Sequence, residues 1–362
     1  MMGELRLMKG NEALAEAAIR AGVDGYFGYP ITPQSEVIEY LMAEKPFERT
    51  GMVVLQAESE VASINMLYGG GGTGKKVMTS SSSPGISLMQ EGLSYMAGAE
   101  IPCVVANVVR GGPGLGDIQP AQSDYFQSVK GGGHGDYRLP VLAPASVQEM
   151  SDFVPLSFDL AFKYRTPVLI VSDGLIGQMM EKVELFDTIP RLTDEEVIAR
   201  YPWATNGKPK GKERRILTSL DLDPHKLEKH NFHLQDKYKQ IREEEVRYEM
   251  IDCDDADYII IAYGSSARIS QKTLQLAREE GIKVGLLRPI TLWPFPKQPI
   301  DDLVNKGVKG FLSVEMSAGQ MVEDIRLTVR ERTKVEHFGR YGGVIHSPEE
   351  VLEALKNKII GD

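Results

Sequence analysis

The chain has 362 residues, of which 42% are hydrophobic and 25% charged, so it is long enough for two domains and can bury a substantial core. Its formal net charge of -10 argues against a nucleic-acid-binding protein, because phosphate recognition needs Lys and Arg in excess of Asp and Glu. No apolar run approaches the ~18 residues of a membrane span, and the N-terminus lacks a signal-peptide pattern, so we expect a cytoplasmic protein that does not enter a membrane.

The first half of the chain alternates apolar runs with helical patterns. Helices are predicted at 11–22, from about Ser35, at 59–68, at 86–97 and from Ser146 to about Tyr164. The strands predicted between them are GYFGYP, MVVLQ, KVMTS, VVANVV, VLAP and PVLIVSD. Since strands separated by helices of about ten or more residues form βαβ crossovers, we predict an α/β fold with a mostly parallel sheet over residues 1–185.

The alternation stops between 186 and 255, which we interpret as a linker or surface excursion with some helix near 235–248. Its basic run KPKGKERR (208–215) is expected to be a solvated loop rather than an anion site, because acidic residues surround it. Alternation resumes over 256–362 and predicts a second, smaller α/β domain. That domain ends in a helix for which Ser347 is the expected N-cap.

The two cysteines, Cys103 and Cys253, do not form a CxxC motif. Cys103 lies in an apolar run, where a buried and unreactive thiol is expected. An iron–sulfur cluster needs several thiolates, so we expect any such cluster to lie on another polypeptide.

The segment GGGGTGKK (69–76) is similar to a phosphate-binding P-loop. A P-loop follows a strand, precedes a helix and places a hydroxyl after its Lys. Here the predicted helix comes first, the strand follows, and Lys76 occupies the hydroxyl position. We therefore predict a glycine-rich helix end and not a nucleotide-binding loop.

Three segments carry candidate functional residues. In GYPITPQS, two prolines stiffen a strand end and direct the Thr32 hydroxyl, although an ordinary turn capped by Ser35 has the same pattern. In QAESEVASIN, Glu58 and Glu60 are candidates for acid–base work, although acids at a helix start also complement its dipole. Arg110 follows an apolar strand and precedes a long loop, where it is well placed to bind a carboxylate or phosphate.

A second glycine-rich loop, GGGHGDYR (131–138), contains His134. This histidine is a candidate for proton transfer or ligand contact, although a lone His in a loop more often does neither.

These segments, in this order along one chain, resemble the α-type subunit of 2-oxoacid:ferredoxin oxidoreductases. The branched-chain (2-oxoisovalerate, or 3-methyl-2-oxobutanoate) member is similar in detail, and the resemblance is strong over about residues 5–185. The segments that carry it are GYPITPQSEV, LQAESEVASINM, MTSSSSPGISLMQEG, RGGPGLGDIQPAQSDYFQ, KGGGHGDYR and LAPASVQEM. RPITLWPFP and FGRYGG are similar to the transketolase C-terminal-like domain of the same subunits.

The resemblance implies a pyrimidine-type thiamine-diphosphate-binding domain followed by a transketolase C-terminal-like domain. Glu60 would hydrogen-bond the pyrimidine ring nitrogen, with Glu58 as the rival for that role. Thr32 and Arg110 would contact the substrate carboxylate. The further cofactor contacts implied are Tyr29, Pro30, Ile31 and Ser82.

The diphosphate–magnesium motif of thiamine enzymes begins with Gly-Asp-Gly, and this chain has Ser172-Asp173-Gly174 instead. The resemblance therefore implies partner chains: a diphosphate-binding β-type subunit, a γ-type subunit and a ferredoxin-like cluster subunit. Magnesium and the iron–sulfur clusters would lie on those partners, and coenzyme A and a 2-oxoacid would be substrates. Two alternatives stay open: another substrate (2-oxoglutarate, pyruvate or an aryl-pyruvate) and a non-catalytic assembly subunit. A third, a nucleotide-binding protein, is disfavoured by the context of residues 69–76.

Overall fold

The structure is a computed structural model that describes residues 4–208 and 213–361. Half of the basic run 208–215, residues 209–212, therefore lies outside the described residues. In the described part, fourteen strands form two large sheets and a two-stranded ribbon. The strands are β1 (Glu4–Lys9), β2 (Gly25–Gly28), β3 (Val53–Gln56), β4 (Val77–Ser81), β5 (Cys103–Val109), β6 (Val141–Leu142), β7 (Pro167–Asp173), β8 (Met180–Leu185), β9 (Tyr248–Ile251), β10 (Tyr258–Ile261), β11 (Val284–Pro289), β12 (Thr291–Trp293), β13 (Gly310–Glu315) and β14 (Lys334–Gly339).

Fourteen α-helices accompany these strands in the described residues, and a short π-helical turn follows at Lys356–Ile360. The helices are α1 (Gly10–Arg20), α2 (Ser35–Glu44), α3 (Pro46–Thr50), α4 (Glu60–Gly72), α5 (Ser83–Gly98), α6 (Tyr125–Val129), α7 (Val147–Tyr164), α8 (Gly174–Gln178), α9 (Asp194–Arg200), α10 (Pro224–Glu244), α11 (Gly264–Glu279), α12 (Lys297–Asn305), α13 (Met321–Val329) and α14 (Pro348–Leu355).

The first sheet has seven strands in the order β12-β6-β7-β5-β4-β2-β3. Six of them run parallel, and β12 alone pairs antiparallel with β6. The central strands β4, β5 and β7 are buried along their whole length, as expected for a parallel sheet covered by helices on both faces. The predicted α/β fold with a mostly parallel sheet is confirmed.

The second sheet has five strands in the order β14-β13-β10-β11-β9, and only β9 is antiparallel to its neighbour. Helix α14 packs against α11 beside this sheet. Ser347 accepts a hydrogen bond from the Glu350 backbone N–H at 3.2 Å and closes a capping box, so the predicted cap is confirmed.

Between 186 and 255 the described residues contain more regular structure than a linker would. Helix α10 has 21 residues and begins at Pro224, eleven positions before the start predicted near 235. Asp223 caps this helix, and Pro224 opens its first turn. At its other end Glu245 accepts hydrogen bonds from Lys163 and Tyr164 of α7. The low hydrophobicity of α10 explains why its apolar periodicity is weak in the sequence.

Each of the two large sheets includes a short edge strand from outside its own predicted domain. Strand β9 joins the second sheet, whereas β12 reaches back to the edge of the first. Gln122 is a centre of hydrogen bonding between the two parts: its side chain donates to the Tyr263 carbonyl at 2.8 Å and accepts from Ser266 at 2.6 Å and from the Met316 backbone N–H at 3.0 Å. The position of the second domain is therefore fixed close to the loop that follows β5.

Among the described residues, no helix is both long enough and apolar enough to cross a lipid bilayer.

Candidate active site

The candidate residues follow adjacent strands of the first sheet. Because β2, β3, β4 and β5 are parallel, their carboxyl ends meet at one edge, where α/β folds bind ligands. The structure thus brings together at this edge the segment Tyr29–Thr32 after β2, Glu60 after β3, Ser82 after β4 and Arg110 after β5.

The two acids that the sequence left as rivals lie in different environments. Ser59 caps α4, and its hydroxyl accepts a hydrogen bond from the Ala62 backbone N–H at 3.3 Å. Glu60, the first residue of that helix, is 6% exposed. Glu58 is exposed to solvent and accepts a hydrogen bond from Ser59 at 2.9 Å. Only Glu60 is therefore held in a buried position.

The Glu60 carboxylate lies beside the first turn of α5. A Cβ atom at Gly85 would lie 2.5 Å from Oε1 of Glu60 and would also collide with Oγ of Ser81. The hydroxyls of Ser81 and Ser82 are buried and have no hydrogen-bond partner in the described part of the chain. The Glu60 carboxylate and the free Ser81 hydroxyl around Gly85, with a second free hydroxyl on the adjacent Ser82, form a polar cradle, which suits a planar nitrogen heterocycle such as an aminopyrimidine.

A chain of buried hydrogen bonds supports the segment after β2. Tyr26 and Ser80 share a hydrogen bond of 2.7 Å, Ser80 donates to Gln34 at 2.6 Å, and Gln34 donates to the Tyr29 carbonyl at 3.1 Å. Burial raises the pKa of Tyr26 to about 12, so its phenol stays protonated as part of the support. Ser35 is the first helical residue and not the N-cap that the alternative interpretation expected; Gln34 takes that position.

Arg110 is 6% exposed and is directed toward the same segment. Nη1 donates to the Thr32 carbonyl and Nη2 to the Leu115 carbonyl, both at 2.9 Å. Nε is buried without a partner, and no carboxylate pairs with this guanidinium among the residues that the structure describes. The Thr32 side chain is exposed beside it. A buried cation without an internal counter-charge is suited to an anionic ligand.

A supporting network that sequence reasoning missed lies behind Arg110. Asn107 accepts from the Ser83 backbone N–H at 3.1 Å and donates to Asp124 at 2.9 Å, while Ser83 Oγ accepts from the Arg110 backbone N–H at 3.1 Å. Burial raises the pKa of Asp124, and its hydrogen bonds from Asn107 and Ser83 partly offset that effect. The network ties the start of α5 to the end of β5. Asn107 is a polar residue inside an otherwise apolar strand, and this interruption is the sequence feature that could have indicated the network.

Asp173, the acidic residue of Ser172-Asp173-Gly174, is already engaged in hydrogen bonds within the chain. Its Oδ1 accepts hydrogen bonds from the backbone N–H groups of Leu175 at 2.9 Å and Ile176 at 3.2 Å, and from the Ser265 hydroxyl at 2.7 Å. Asp173 is fully buried, and burial raises its pKa. This carboxylate caps α8 and attaches it to the second domain, so it does not fit the role of a magnesium ligand.

Two further segments singled out in the sequence lie apart from this edge. The loop 131–138 packs along α5 through a 3.2 Å hydrogen bond from Gly132 N–H to Gln90, and the His134 side chain is exposed. Gln90 lies two to three helical turns from the site residue Ser82, so the structure does not bring His134 to the site. Residues 69–76 pass from α4 into β4, which confirms the helix-then-strand order that argued against a P-loop.

The thiols of the chain are shielded from solvent. Cys103 and Cys253 are both buried; burial raises the pKa of Cys103 far above the ordinary range and that of Cys253 to about 11. No group of three or more His, Cys, Asp or Glu side chains in residues 4–208 and 213–361 is arranged to hold a metal ion.

Comparison with known families and proteins agrees with this geometry. Residues 16–248 match the thiamine-diphosphate-binding family of pyruvate flavodoxin/ferredoxin oxidoreductases, and residues 256–351 match core domain II of pyruvate:ferredoxin oxidoreductase. A ketoisovalerate oxidoreductase subunit VorB from Methanothermobacter thermautotrophicus is 49% identical over 99% of this chain and 98% of its own length. A 2-oxoglutarate synthase subunit KorA from Methanocaldococcus jannaschii is 35% identical over 97% of this chain and 99% of its own.

A solved structure has the same fold. It is a 2-oxoglutarate:ferredoxin oxidoreductase from Magnetococcus marinus with 2-oxoglutarate, coenzyme A and succinyl-CoA bound, at a TM-score of 0.84 and 27% identity. The match covers 98% of this chain, which spans 65% of the length of that one. The family matches, the relatives and the fold agree, and the chain belongs to the 2-oxoacid:ferredoxin oxidoreductases as an α-type, thiamine-diphosphate-binding subunit.

Proposed function

We propose that this chain supplies the pyrimidine-binding half of an active site that oxidatively decarboxylates 2-oxoisovalerate and related branched-chain 2-oxoacids to acyl-CoA and CO₂, with ferredoxin as the electron acceptor. The observation that carries the proposal is the buried Glu60 carboxylate, which has no hydrogen-bond or ion-pair partner among the described residues and lies against Gly85 at the carboxyl edge of the sheet. The identity of 49% to a ketoisovalerate oxidoreductase subunit supports the choice of substrate.

Thiamine diphosphate, when bound, supplies an electron sink that accepts the electron pair of the carbon–carbon bond that breaks when carbon dioxide leaves. In this proposal Glu60 holds a proton at the ring nitrogen of the pyrimidine, and its burial keeps water from competing for that proton. Ser82 and the segment Tyr29–Ile31, which follow β4 and β2 at the same edge of the sheet, would help to hold the pyrimidine ring. Glu58 is less suited to this role because it is exposed and already accepts a hydrogen bond from Ser59.

Arg110 and Thr32 would orient the carboxylate of the 2-oxoacid. The guanidinium is held in place by two backbone carbonyls, and its Nε remains free to donate. Thr32, whose carbonyl binds this guanidinium, is exposed, and its hydroxyl would add a neutral donor. A charged donor held in advance of binding costs no reorganisation when the substrate arrives.

The rest of the site must come from partner subunits in this proposal. Asp173 is occupied as a helix cap, so a β-type subunit would bind the diphosphate and magnesium. Two separate buried cysteines do not suffice for a cluster, so iron–sulfur clusters would lie on the β-type and ferredoxin-like subunits. A γ-type subunit completes the proposed assembly, and coenzyme A accepts the acyl group.

Arg110→Leu in the assembled complex should weaken binding and turnover of the 2-oxoacid. A hydrogen bond to a charged group contributes about 1.5–3 kcal/mol, so kcat/KM should fall by roughly 10- to 150-fold. Thr32→Val should have a smaller effect because only a neutral donor is lost. Steady-state kinetics with varied 2-oxoacid measures both.

Arg138 also donates to two backbone carbonyls but lies on the loop away from the site, so Arg138→Leu is the matched control. Unchanged kinetics in Arg110→Leu would show that Arg110 does not bind the substrate.

A substrate panel tests the proposed function itself. The purified complex, supplied with coenzyme A and a low-potential electron acceptor, should give a higher kcat/KM for 2-oxoisovalerate than for 2-oxoglutarate or pyruvate. Branched-chain acids that differ by one methylene should overlap, because an apolar pocket separates them by only about 1–3 kcal/mol. A clear preference for 2-oxoglutarate would instead assign the chain to the activity named for its relatives at 35% identity.

A further inference from the structure

The loop that follows Arg110 is a closed unit whose shape determines where the guanidinium lies. Gly111 N–H donates to the Gln119 carbonyl at 2.9 Å, and Asp117 N–H donates back to the Gly111 carbonyl at 2.8 Å. Arg110 itself forms an antiparallel bridge with Pro120. Because Nη2 of Arg110 is bonded to the Leu115 carbonyl within this loop, a shift of the loop backbone would move the guanidinium with it.

The second domain contacts this loop through two adjacent glycines. A Cβ atom at Gly111 would lie 3.0 Å from the backbone nitrogen of Gly343 and 3.1 Å from the carbonyl carbon of Gly342, so the two backbones are in direct contact. Gly342 and Gly343 both have positive φ angles, of 66° and 90°. They differ in their surroundings: a Cβ atom at Gly343 would lie 2.5 Å from Cβ of Gln119 and 3.1 Å from Oδ2 of Asp117, whereas one at Gly342 would meet nothing within 4 Å.

The turn that carries these glycines is anchored in the second domain. Arg340 pairs with Glu350 at 3.0 Å, and the other oxygen of Glu350 accepts from the Ser347 backbone N–H at 2.8 Å at the start of α14. The neighbouring His346 is buried, and its ring packs edge-on against Phe338 with 6.0 Å between the centroids. The turn can therefore act as a fixed support against which the Arg110 loop rests.

We propose that Gly343 is a positioning residue for 2-oxoacid binding: its missing side chain lets the second domain hold the Gln119 end of the Arg110 loop and so fixes the Arg110 guanidinium. This rests on the proposed role of Arg110 in binding the substrate carboxylate. The second domain thereby acts on the substrate site through backbone contact, without contributing a side chain to it.

The test compares Gly343→Ala with Gly342→Ala in the assembled complex. Both variants carry the cost of a side chain at positive φ, but only the Cβ at position 343 collides with Gln119. A displacement of about 1 Å in a substrate-binding group can cost up to about a hundredfold, so we expect Gly343→Ala to raise the KM for 2-oxoisovalerate at least tenfold. Gly342→Ala should stay within about twofold of the parent, and in both variants the thiamine diphosphate Kd and the coenzyme A KM should be unchanged.

Two double variants test whether the effect of Gly343→Ala depends on its contact with Gln119 and on the Arg110 guanidinium. Gln119→Gly removes the Cβ atom that the new methyl group would approach most closely and leaves only the movable Asp117 carboxylate at 3.1 Å, so it should restore a low KM, and assembly if that is lost, when combined with Gly343→Ala. In Arg110→Leu the guanidinium is already absent, so adding Gly343→Ala should raise the KM no further.

The outcomes separate this inference from the proposed function. Equal KM values for Gly343→Ala and Gly342→Ala, or a full additional effect of Gly343→Ala on the Arg110→Leu background, would overturn the positioning role while leaving the proposed function intact. Failure of Gln119→Gly to relieve the defect would also overturn it. An Arg110→Leu complex with normal KM would instead refute the carboxylate-binding role on which the inference rests.

Discussion

Glu60→Gln should lower turnover of the assembled complex by about 10²–10⁴, the range for loss of a positioned acid–base group. The amide keeps the shape of the carboxylate but cannot hold an exchangeable proton at the pyrimidine nitrogen. Because Glu60 is 6% exposed, solvent cannot replace that function. The measurement is C2 proton exchange of bound thiamine diphosphate, followed alongside steady-state turnover in complexes whose assembly has been verified.

The matched control is Glu58→Gln, two residues away. Glu58 is exposed and bonded to Ser59, so its loss removes only a favourable charge near a helix N-terminus, worth about 0.3–1 kcal/mol. The expected change in exchange is therefore at most roughly fivefold. The reverse pattern would transfer the role to Glu58. Normal exchange in both variants would leave the site without its acid and favour a non-catalytic assembly subunit.

Gly85→Ala should also impair the proton transfer assigned to Glu60, because residue 85 lies against that carboxylate. The added methyl group would lie 2.5 Å from the Glu60 carboxylate oxygen and would collide with Ser81, so the carboxylate must move. A misplacement of about 1 Å is expected to lower turnover by roughly a hundredfold. Activity and thiamine diphosphate binding, measured by calorimetry on the complex, provide the readout.

Gly69→Ala is the control for that variant, since Gly69 also lies in a helix and nothing surrounds its Cβ position within 4 Å. Alanine in a helix is about 1 kcal/mol more favourable than glycine, so this variant should be as active as the parent and no less stable. Parental turnover in Gly85→Ala would show that the carboxylate does not need the space that the glycine leaves.

The long buried strands could be predicted from sequence because their physics is local. Strands β5 and β7 are buried along their whole length, consist mainly of apolar residues and are bounded by turn residues, so their type and the parallel sheet followed directly. Strands β1, β8, β9, β12 and β14 were missed. Strand β9 is exposed at three of its four residues and β12 has three residues, and both form by pairing with strands that are distant in the sequence. Such strands depend on tertiary context more than on propensity.

The candidate site was predictable to the extent that motifs mark strand ends. Glu60, Arg110 and Thr32 fall at one edge because parallel strands place their carboxyl ends together, and the resemblance assigned them roles. The spacing in the sequence does not distinguish Glu58 from Glu60, since both follow the same strand, whereas the structure shows that they differ in burial. The contact between Gly343 and Gln119 joins residues more than two hundred positions apart, and no local pattern could reveal it.

The central claim is that this chain contributes one half of a thiamine-dependent active site and its partners contribute the other. The most direct test measures ferredoxin-linked oxidation of 2-oxoisovalerate, with thiamine diphosphate, magnesium and coenzyme A present, by the chain alone, by its co-purified partner subunits alone, and by the two recombined. Activity is expected only in the recombined sample and should be lost when the chain carries Glu60→Gln. Oxidation of the 2-oxoacid by the chain alone or by the partners alone, or parental activity with Glu60→Gln, would contradict this claim.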